Sequence, residues 1–564
     1  MIGQISEKEL PADGYRNTWK PLLLIVLLAI VLRVCWIVRQ TAVIENEGAE
    51  YAQIAQNLVA GKGYVGLWNV PEVMFPPLYP ILIAAFSLAT RDFDLAARLV
   101  SLTIGTCLVL PVFFIALRMY GRRVAFISAS MIAFHPLLIA LSGSVYSEVV
   151  FLTVLMGGVY WGTESLRLEK ATKVRNSILC GMCLGLAYLT RPEGIALPVL
   201  VCVAIILVAL FEQKGPKTAA VACLLVLTSF AVVATPYVAF LSYHTGRFRV
   251  EGKSDIVFSI TQRMNSGMNY LEATHGISRD LTDEGPGLKE GVFLTGTSHP
   301  ESLRDSIRYA LEATKRNISP LYNTVFNGRP FGSPILIGLV IVGLFREAWS
   351  RQRLIQEGFL LLVLCFFVAL VLQVHGLQFR YAFPVLPFLI LWAAKGMEEL
   401  SKWVKTTTIS AGFGSLGGAK RIENAVRWAL GIAVLALAVA GTRDVGEFEQ
   451  ANPRHLSVKQ AGLWLRGYAP GPKRIMDLGA VIPYYASGSL VDLPYTDSAT
   501  ALRYVARKKP DFIVLNGQWS VQARPYLAEW IENGIPDPRA KLVWHTGDKL
   551  EEKVAIYRWT PSKD

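Results

Sequence analysis

Four side chains suited to acid–base or binding chemistry stand close together early in the sequence: Glu45, Glu47, Glu50 and Tyr51. From Glu50 onward apolar residues recur at helical spacing, which predicts a helix beginning near these groups. The positive end of a helix dipole would keep Glu47 ionised, as a general base requires. An acidic first turn on an ordinary surface helix explains the same pattern, so this segment alone leaves both interpretations open.

A second carboxylate, Glu148, ends the polar segment Ser142–Ser147 and opens an apolar run. A charge at a membrane boundary is costly to keep, so such a residue is a functional candidate. A charge that snorkels to the surface at the start of a helix is the alternative interpretation. Glu47 and Glu148, both at the mouths of apolar runs, could together hold a hydroxyl group for deprotonation.

Cationic and phenolic groups occur at the ends of other apolar runs, with Arg191 in the segment LTRPEG and Arg380-Tyr381 in QFRYAFP. Arginine and lysine at a membrane interface can hold a lipid phosphate, although each alone also serves as a headgroup anchor. The expected catalytic residues are Glu47 and Glu148. The substrate-binding candidates are Glu45, Glu50, Tyr51, Arg191, Lys253, Arg380 and Tyr381.

The composition indicates a membrane protein, because the 564 residues are 52% hydrophobic and only 18% charged, against about 25% charge in soluble domains. Leu22–Val38, Thr218–Phe240 and Leu360–Val374 are almost free of charge, and about 20 such residues span a bilayer. The net charge of +13 is typical of basic cytosolic loops. Nucleic acid is not an expected partner, since no soluble segment interleaves basic and aromatic residues.

Basic loops set the predicted orientation. Five are expected in the cytosol: Arg118–Arg123, Arg167–Arg175, Lys214–Lys217, Arg346–Arg353 and Lys395–Arg427. They share one side only if the run 76–90, which starts with two prolines, lies against the outer surface. The prediction is an α-helical polytopic protein with about eleven transmembrane helices, outer juxtamembrane helices, a cytosolic N-terminus and an outer C-terminus.

Two domains are predicted. Residues 1–442 form the transmembrane domain, with a large outer loop at 40–94 and a second at 243–330. Residues 443–564 form a small extracytoplasmic α/β domain, because strand-like and helix-like segments alternate there. The predicted strands begin at Arg474, Asp511, Lys541 and Lys553. All seven cysteines lie in apolar runs, so no disulfide framework is expected.

Short segments in a fixed order carry a resemblance to a known class. They are Glu47–Ala55, Phe75–Pro80, Ala96–Arg98, Tyr120–Ala125, His135-Pro136, Tyr146–Glu148, Leu189–Gly194 and Arg380–Pro384. The sequence resembles the GT-C class of integral membrane glycosyltransferases. More narrowly, it resembles the bacterial relatives of protein O-mannosyltransferases and of lipid A aminoarabinose transferases.

The resemblance implies a sugar donor carried on a polyprenyl phosphate and an outer cavity between the first outer loop and the helices. Glu47 then matches the family's general base, Glu148 its second acidic residue, and Tyr381 a contact to the donor phosphate. Two positions depart from the pattern. Glu47 stands where the family usually has Asp, and Phe75 stands where the aminoarabinose enzymes have Lys. Lys253 or Arg191 could supply the phosphate contact of that missing Lys.

The expected reaction is a single inverting displacement onto a hydroxyl of a glycolipid, glycan or protein, in the inner membrane of a bacterium. Glu45 and Glu47 could ligate a divalent ion, but no cofactor is expected. A transporter or flippase is the alternative, and it predicts charges near the bilayer midplane and repeated halves. A further alternative is a non-catalytic scaffold, in which Glu47 and Glu148 are dispensable.

Overall fold

The computed structural model describes most of the chain. The described residues are 18–39, 43–167, 172–213, 215–288, 303–323, 333–373, 379–410, 416–442, 453–517, 523–547, 549 and 552–560. All nine predicted site residues are among them. Parts of the second outer loop, 289–302 and 324–330, lie outside them.

Helices make up most of the described residues up to 442. In chain order they are α1 (Trp19–Arg39), α2 (Asn46–Val59), α3 (Leu78–Thr90), α4 (Phe93–Cys107), α5 (Val109–Tyr120), α6 (Arg122–Phe134), α7 (Pro136–Gly143), α8 (Glu148–Ser165), α9 (Thr172–Tyr188), α10 (Leu197–Phe211), α11 (Pro216–Thr245), α12 (Ser254–Asn265), α13 (Tyr270–His275), α14 (Leu303–Tyr322), α15 (Ser333–Phe345), α16 (Arg351–Val371), α17 (Leu386–Ser410) and α18 (Leu416–Thr442). Short 3₁₀ helices, Pro192–Ala196 and Phe379–Val385, precede α10 and α17.

Five helical segments of the described chain are long and apolar enough to cross a membrane: α1, α4 with α5, Pro192–Phe211, α11 and α16. The pair α6 and α7 passes the same test together but is bent by 50°. The membrane class is thus supported by the structure. The count of about eleven spans and their orientation remain predictions.

Local chemistry explains the breaks between these helices. Gly121 has φ +90° between α5 and α6, a conformation that glycine adopts without steric cost. His135 is extended before Pro136, as the residue preceding a proline prefers. The run predicted at 76–90 is the separate helix α3, whose 13 residues fall short of the ~20 needed to span.

Close backbone contact joins helices α15 and α17. A Cβ added at Gly396 of α17 would lie 1.9 Å from the carbonyl oxygen of Leu339 in α15, and one at Gly343 would lie 2.1 Å from that of Trp392. Only glycine permits this approach. The close packing fixes α17, and with it the 3₁₀ helix Phe379–Val385 that carries Arg380.

The C-terminal region contains a five-stranded sheet in the order β2-β1-β3-β5-β4. The strands are β1 (Arg474–Asp477), β2 (Ser489–Asp492), β3 (Phe512–Asn516), β4 (Ala540–Thr546) and β5 (Val554–Trp559). The first three are parallel, and β5 runs antiparallel to β3 and β4. The four predicted strands are confirmed, whereas β2 was not predicted. The helices among the described residues of this region are α19 (Pro453–Tyr468), α20 (Val481–Tyr485), α21 (Ser498–Lys508) and α22 (Leu527–Asn533).

This α/β region is attached to the helices next to the first outer loop. Asp94, at the start of α4, accepts hydrogen bonds from the hydroxyls of Tyr484 (2.9 Å) and Tyr485 (2.6 Å). Asn46, the first residue of α2, accepts one from the amide of Ala480 at 2.9 Å. The sheet therefore helps to hold the helix that carries Glu47.

Candidate active site

Glu47 lies in the first turn of α2, where the helix dipole favours a negative charge. Its Oε2 atom is 2.5 Å from Nη1 of Arg380, and both side chains are mostly buried. Its Oε1 atom accepts a weak hydrogen bond, 3.4 Å long, from the hydroxyl of Tyr51. The same hydroxyl lies 3.1 Å from Oγ of Ser147, so Tyr51 joins α2 to the segment before α8.

Glu148 is the first residue of α8 and is 3% exposed. Its Oε1 atom lies 2.9 Å from Nη1 of Arg191 and 3.9 Å from Nη1 of Arg380. Arg380 therefore stands between Glu148 and Glu47, although the two acids are about a hundred residues apart in the chain. The two predicted catalytic carboxylates meet at one cation.

Aromatic rings hold Arg380 from the sides. Its guanidinium lies 5.3 Å from the ring centre of Tyr146 and 5.4 Å from that of Tyr381. Tyr146 also donates its hydroxyl hydrogen bond to Glu45. The two rings restrict the guanidinium to the space between the acids, while cation–π attraction stabilises its charge there.

Arg191 occupies the turn before α10, ahead of the 3₁₀ helix that starts at Pro192. Besides Glu148, it pairs with Glu193 through Nη2 at 3.0 Å, and it lies 6.0 Å from the ring centre of Phe151. The third cation, Lys253 just before α12, has its ammonium 5.1 Å from the ring centre of Phe75.

A cavity of about 330 Å³ opens beside these charges. Most of its wall is apolar, and three cations and two acids interrupt it. The lining residues are Glu148, Phe151, Leu152, Arg191, Glu193, Lys253, Val257, Ile260, Tyr270, Phe367, Leu370, Val371, Gln373, Arg380, Tyr381, Phe383 and Pro384. An apolar chain ending in an anionic group fits such a lining, since the cations would neutralise the anion.

The charges of the site set the state of Glu47. Burial alone would raise the pKa of this carboxyl, but Arg380, Lys253 and Arg191 together hold it below its usual value. Glu47 is therefore ionised at neutral pH. A carboxylate so strongly paired is a weak base until its cation turns to another partner.

Glu45 and Glu50 take different positions. Glu45 is the residue before α2 and accepts the bond from Tyr146 already described. Glu50 is 5% exposed and accepts a hydrogen bond from the amide of Leu67 at 2.9 Å. It does not line the cavity.

Glu50 faces a second buried acid, Glu72, at the far end of the same loop. Glu72 accepts hydrogen bonds from the amides of Met74 (2.6 Å) and Phe75 (3.1 Å). Burial raises the pKa of both carboxyls, and their mutual repulsion raises that of Glu50 further. A proton held between two such carboxyls would close the loop that joins them.

Within the described residues, no group of three or more His, Cys, Asp or Glu side chains could hold a metal ion. Glu45 and Glu47, which the sequence offers as metal ligands, are bonded to Tyr146 and Arg380 respectively. These two carboxylates are thus engaged by donors from the protein.

Four residues of this site were not predicted from the sequence. Glu193 lies in the segment LTRPEG, and its position two residues after Arg191 could have indicated its role. Tyr146 and Ser147 directly precede Glu148, which was also a signal. Glu72 gave none, because its partner Glu50 lies 22 positions earlier and the loop between them has no periodicity.

The structure thus combines a helical part, whose cavity is lined by acids and arginines, with a C-terminal α/β region. A model of the family described as dolichyl-phosphate-mannose-protein mannosyltransferase matches residues 75–235. That segment includes Phe75, Glu148 and Arg191, and it excludes Glu47 and Arg380. No curated protein sequence matches the chain.

Solved structures share the fold over nearly the whole chain. The oligosaccharyltransferase AglB from Archaeoglobus fulgidus, in complex with an inhibitory peptide and a dolichol-phosphate, is 12% identical with a TM-score of 0.61, and the match covers 97% of this chain and 75% of that one. Apo ArnT from Cupriavidus metallidurans is 14% identical with a TM-score of 0.56, covering 96% and 98%. ArnT bound to undecaprenyl phosphate is 14% identical with a TM-score of 0.53, covering 98% and 99%.

These matches show a common fold, since the sequence identities are low. Together with the family model, they confirm the resemblance to GT-C glycosyltransferases predicted from the short ordered segments.

Proposed function

We propose that the protein is an inverting glycosyltransferase that moves a sugar from a polyprenyl phosphate to a hydroxyl on the outer face of the membrane. The observation that carries the proposal is Arg380, one cation held between two carboxylates at the rim of an apolar cavity. The orientation follows the charge of the loops, with the N-terminus in the cytosol.

The cavity supports a donor with a lipid tail and a phosphate head. Its apolar wall, from Phe151 to Phe367 and Val371, suits an isoprenoid chain. Arg191, Lys253 and Arg380 supply the positive charge for the phosphate. Undecaprenyl phosphate and dolichol-phosphate, the carriers named in the matched ArnT and AglB structures, have this chemistry.

The reaction is a displacement at the anomeric carbon. The acceptor oxygen forms its bond to that carbon, and the bond to the phosphate oxygen breaks with its electron pair staying on the phosphate. The acceptor proton passes to Glu47. Because the leaving phosphate is already a stable anion, the cations around it lower the barrier without a general acid.

Arg380 couples donor binding to the basicity of Glu47. Without donor, the guanidinium pairs with Glu47 and holds its pKa low. A donor phosphate competes for the same guanidinium, and Glu47 then loses its strongest stabilising partner. Its pKa rises toward the range in which a carboxylate removes a proton effectively. The base is thus activated only when a donor is present.

Glu148 and Glu193 act as positioning residues in this scheme. Glu193 and Glu148 clamp Arg191 from two sides at 3.0 and 2.9 Å. Glu148 also keeps Arg380 within 3.9 Å when Glu47 is released. An arginine fixed at both ends keeps its remaining donors directed at the phosphate.

The test is sugar transfer in membranes from a radiolabelled polyprenyl phosphate sugar. Glu47→Gln removes the base but preserves size, and we expect transfer to fall by about 10²–10⁴-fold, the usual contribution of a general base. Glu529→Gln, an exposed acid of α22, is the matched control and should retain the wild-type rate. Transfer by Glu47→Gln near that rate would exclude Glu47 as the base and favour the transporter or scaffold alternatives.

A further inference from the structure

Helix α14 (Leu303–Tyr322) divides its surface into three sectors. At ~100° per residue, Ala313 and Asn317 point to one side and are buried at 7% and 2% exposure. Glu312 and Ser319 lie on the opposite, solvent-exposed side. Between these sectors runs a third that is apolar yet exposed.

The exposed apolar sector contains four large side chains within about 60° of one another. They are Ile307, Leu311, Ile318 and Tyr322, exposed by 53%, 58%, 59% and 55%. Exposing four such side chains to water along one face of an outer-loop helix would cost free energy. A surface of this kind is expected to meet an apolar environment.

The buried sector attaches α14 to the end of a predicted span. Asn317 donates a hydrogen bond to the carbonyl of Leu372, directly after α16, at 2.9 Å. Gln373 donates to Oγ1 of Thr314 at 3.1 Å. Since α16 is long and apolar enough to cross the membrane, its end marks the level of the bilayer surface on the predicted topology.

Charge complementarity distinguishes between occupants of the apolar sector. Helix α14 carries four basic and two acidic residues, and Arg308 and Lys315 lie along the edge of the apolar strip. Basic side chains beside an apolar strip pair with lipid phosphates while the strip enters the acyl region. A second protein would need a matching acidic rim, whereas anionic lipid supplies negative charge everywhere along the helix.

We propose that α14 lies in the outer leaflet as an interfacial helix and forms one lip of the opening through which the lipid carrier reaches the cavity. Gln373 is hydrogen-bonded to α14 and lines the cavity. Leu370 and Val371, just before it in the chain, also line the cavity. The proposal that α14 contacts lipid depends on the predicted topology alone. The proposal that it forms a lip of the opening depends in addition on the proposed function.

The first experiment measures lipid contact without any enzymatic readout. A photo-crosslinking benzophenone amino acid replaces Leu311, Ile318 or, as the water-facing control, Glu312. The full chain is placed in nanodiscs of phosphatidylethanolamine and phosphatidylglycerol, irradiated, and weighed as intact protein. Positions 311 and 318 should gain the mass of a phospholipid several-fold more often than position 312.

Equal lipid addition at all three positions, or none at any, would overturn the lipid-contacting surface. A cross-link to a second copy of the chain at 311 and 318 would overturn it in favour of a protein interface.

The second experiment measures donor use. The double variant Leu311→Glu with Ile318→Glu should raise KM for the polyprenyl phosphate sugar several-fold at unchanged kcat, because only access of the lipid is impaired. Ser319→Glu adds a carboxylate on the water-facing sector and should leave KM unchanged. An unchanged KM in the double variant would overturn the role as a lip. If wild-type protein transfers no sugar while the cross-linking pattern holds, the proposed function fails and the lipid contact stands.

Discussion

Among the buried charges of the described helices, the groups around Glu148 and around Glu357 are built differently. Around Glu148 the bonds are ion pairs to Arg191 and Arg380, and the carboxylate faces a cavity. Around Glu357 of α16, fully buried, ion pairs to Arg353 and Lys395 are joined by hydrogen bonds from uncharged donors. Tyr120 donates to it at 2.9 Å and Trp392 at 2.7 Å.

The difference separates a site prepared for a ligand from a structural junction. Glu357 receives enough donors, Arg353 at 3.4 Å included, for its burial to be compensated within the protein. At the site around Arg380, three cations line a cavity in which a further anion can bind. Charge buried in a membrane protein is therefore informative about function only when its partners are examined.

The largest expected effect comes from removing the shared cation. Arg380→Gln should lower kcat/KM for the donor by about 10²–10³-fold, the usual result of losing one group that stabilises the charge of a transition state. Arg118→Gln is the control, because Arg118 is exposed and pairs with Glu164, at the other end of α8 from Glu148. Steady-state transfer kinetics measure both. A loss of the same size in the control would mean that the effect is not specific to the site.

The structural junction should give the opposite result. Glu357→Ala removes the acid that pairs with Arg353 and Lys395. We expect a loss of about 3 kcal/mol in the free energy of unfolding, as for other broken buried ion pairs. Thermal unfolding in detergent measures the loss. The transfer rate per folded molecule should stay close to wild type. A variant of normal stability that cannot transfer sugar would instead place Glu357 in the catalytic machinery.

The acid pair of the first outer loop gives a smaller, pH-dependent effect. The pKa of Glu50 is raised in the folded protein, so the stability that its proton contributes is complete below its unfolded pKa and is lost as pH rises through the folded value. Hydrogen exchange of residues 61–75, corrected for intrinsic rates, should therefore accelerate as pH rises through that folded value. Glu50→Gln mimics the protonated acid and should remove the acceleration. Its persistence in Glu50→Gln would exclude the shared proton as the cause.

Much of this arrangement was predictable from local patterns. The apolar runs, the helix that begins at Asn46 and the strands at Arg474 and Phe512 depend on periodicity, which a sequence displays directly. The pairing of Arg380 with Glu47 could not be predicted, because it joins positions 333 residues apart through the packing of several helices. Strand β2, Ser489–Asp492, was not predicted.

The breaks in the bundle mark another limit. Pro136 indicates that a helix begins there, but the 50° bend between α6 and α7 depends on what surrounds it. The number of spans is harder still, since α3 and α15 are apolar and short, and length alone does not decide whether such helices cross.

Two pH profiles of sugar transfer test most directly whether Arg380 leaves Glu47 to pair with the donor phosphate. The acid limb of kcat/KM reports Glu47 in the free enzyme, and that of kcat reports it with donor bound; the phosphodiester of the donor does not titrate in this range. Because donor phosphate draws Arg380 away, the acid limb of kcat should lie at higher pH than that of kcat/KM. Coincident limbs, or a kcat limb at lower pH, would contradict the account.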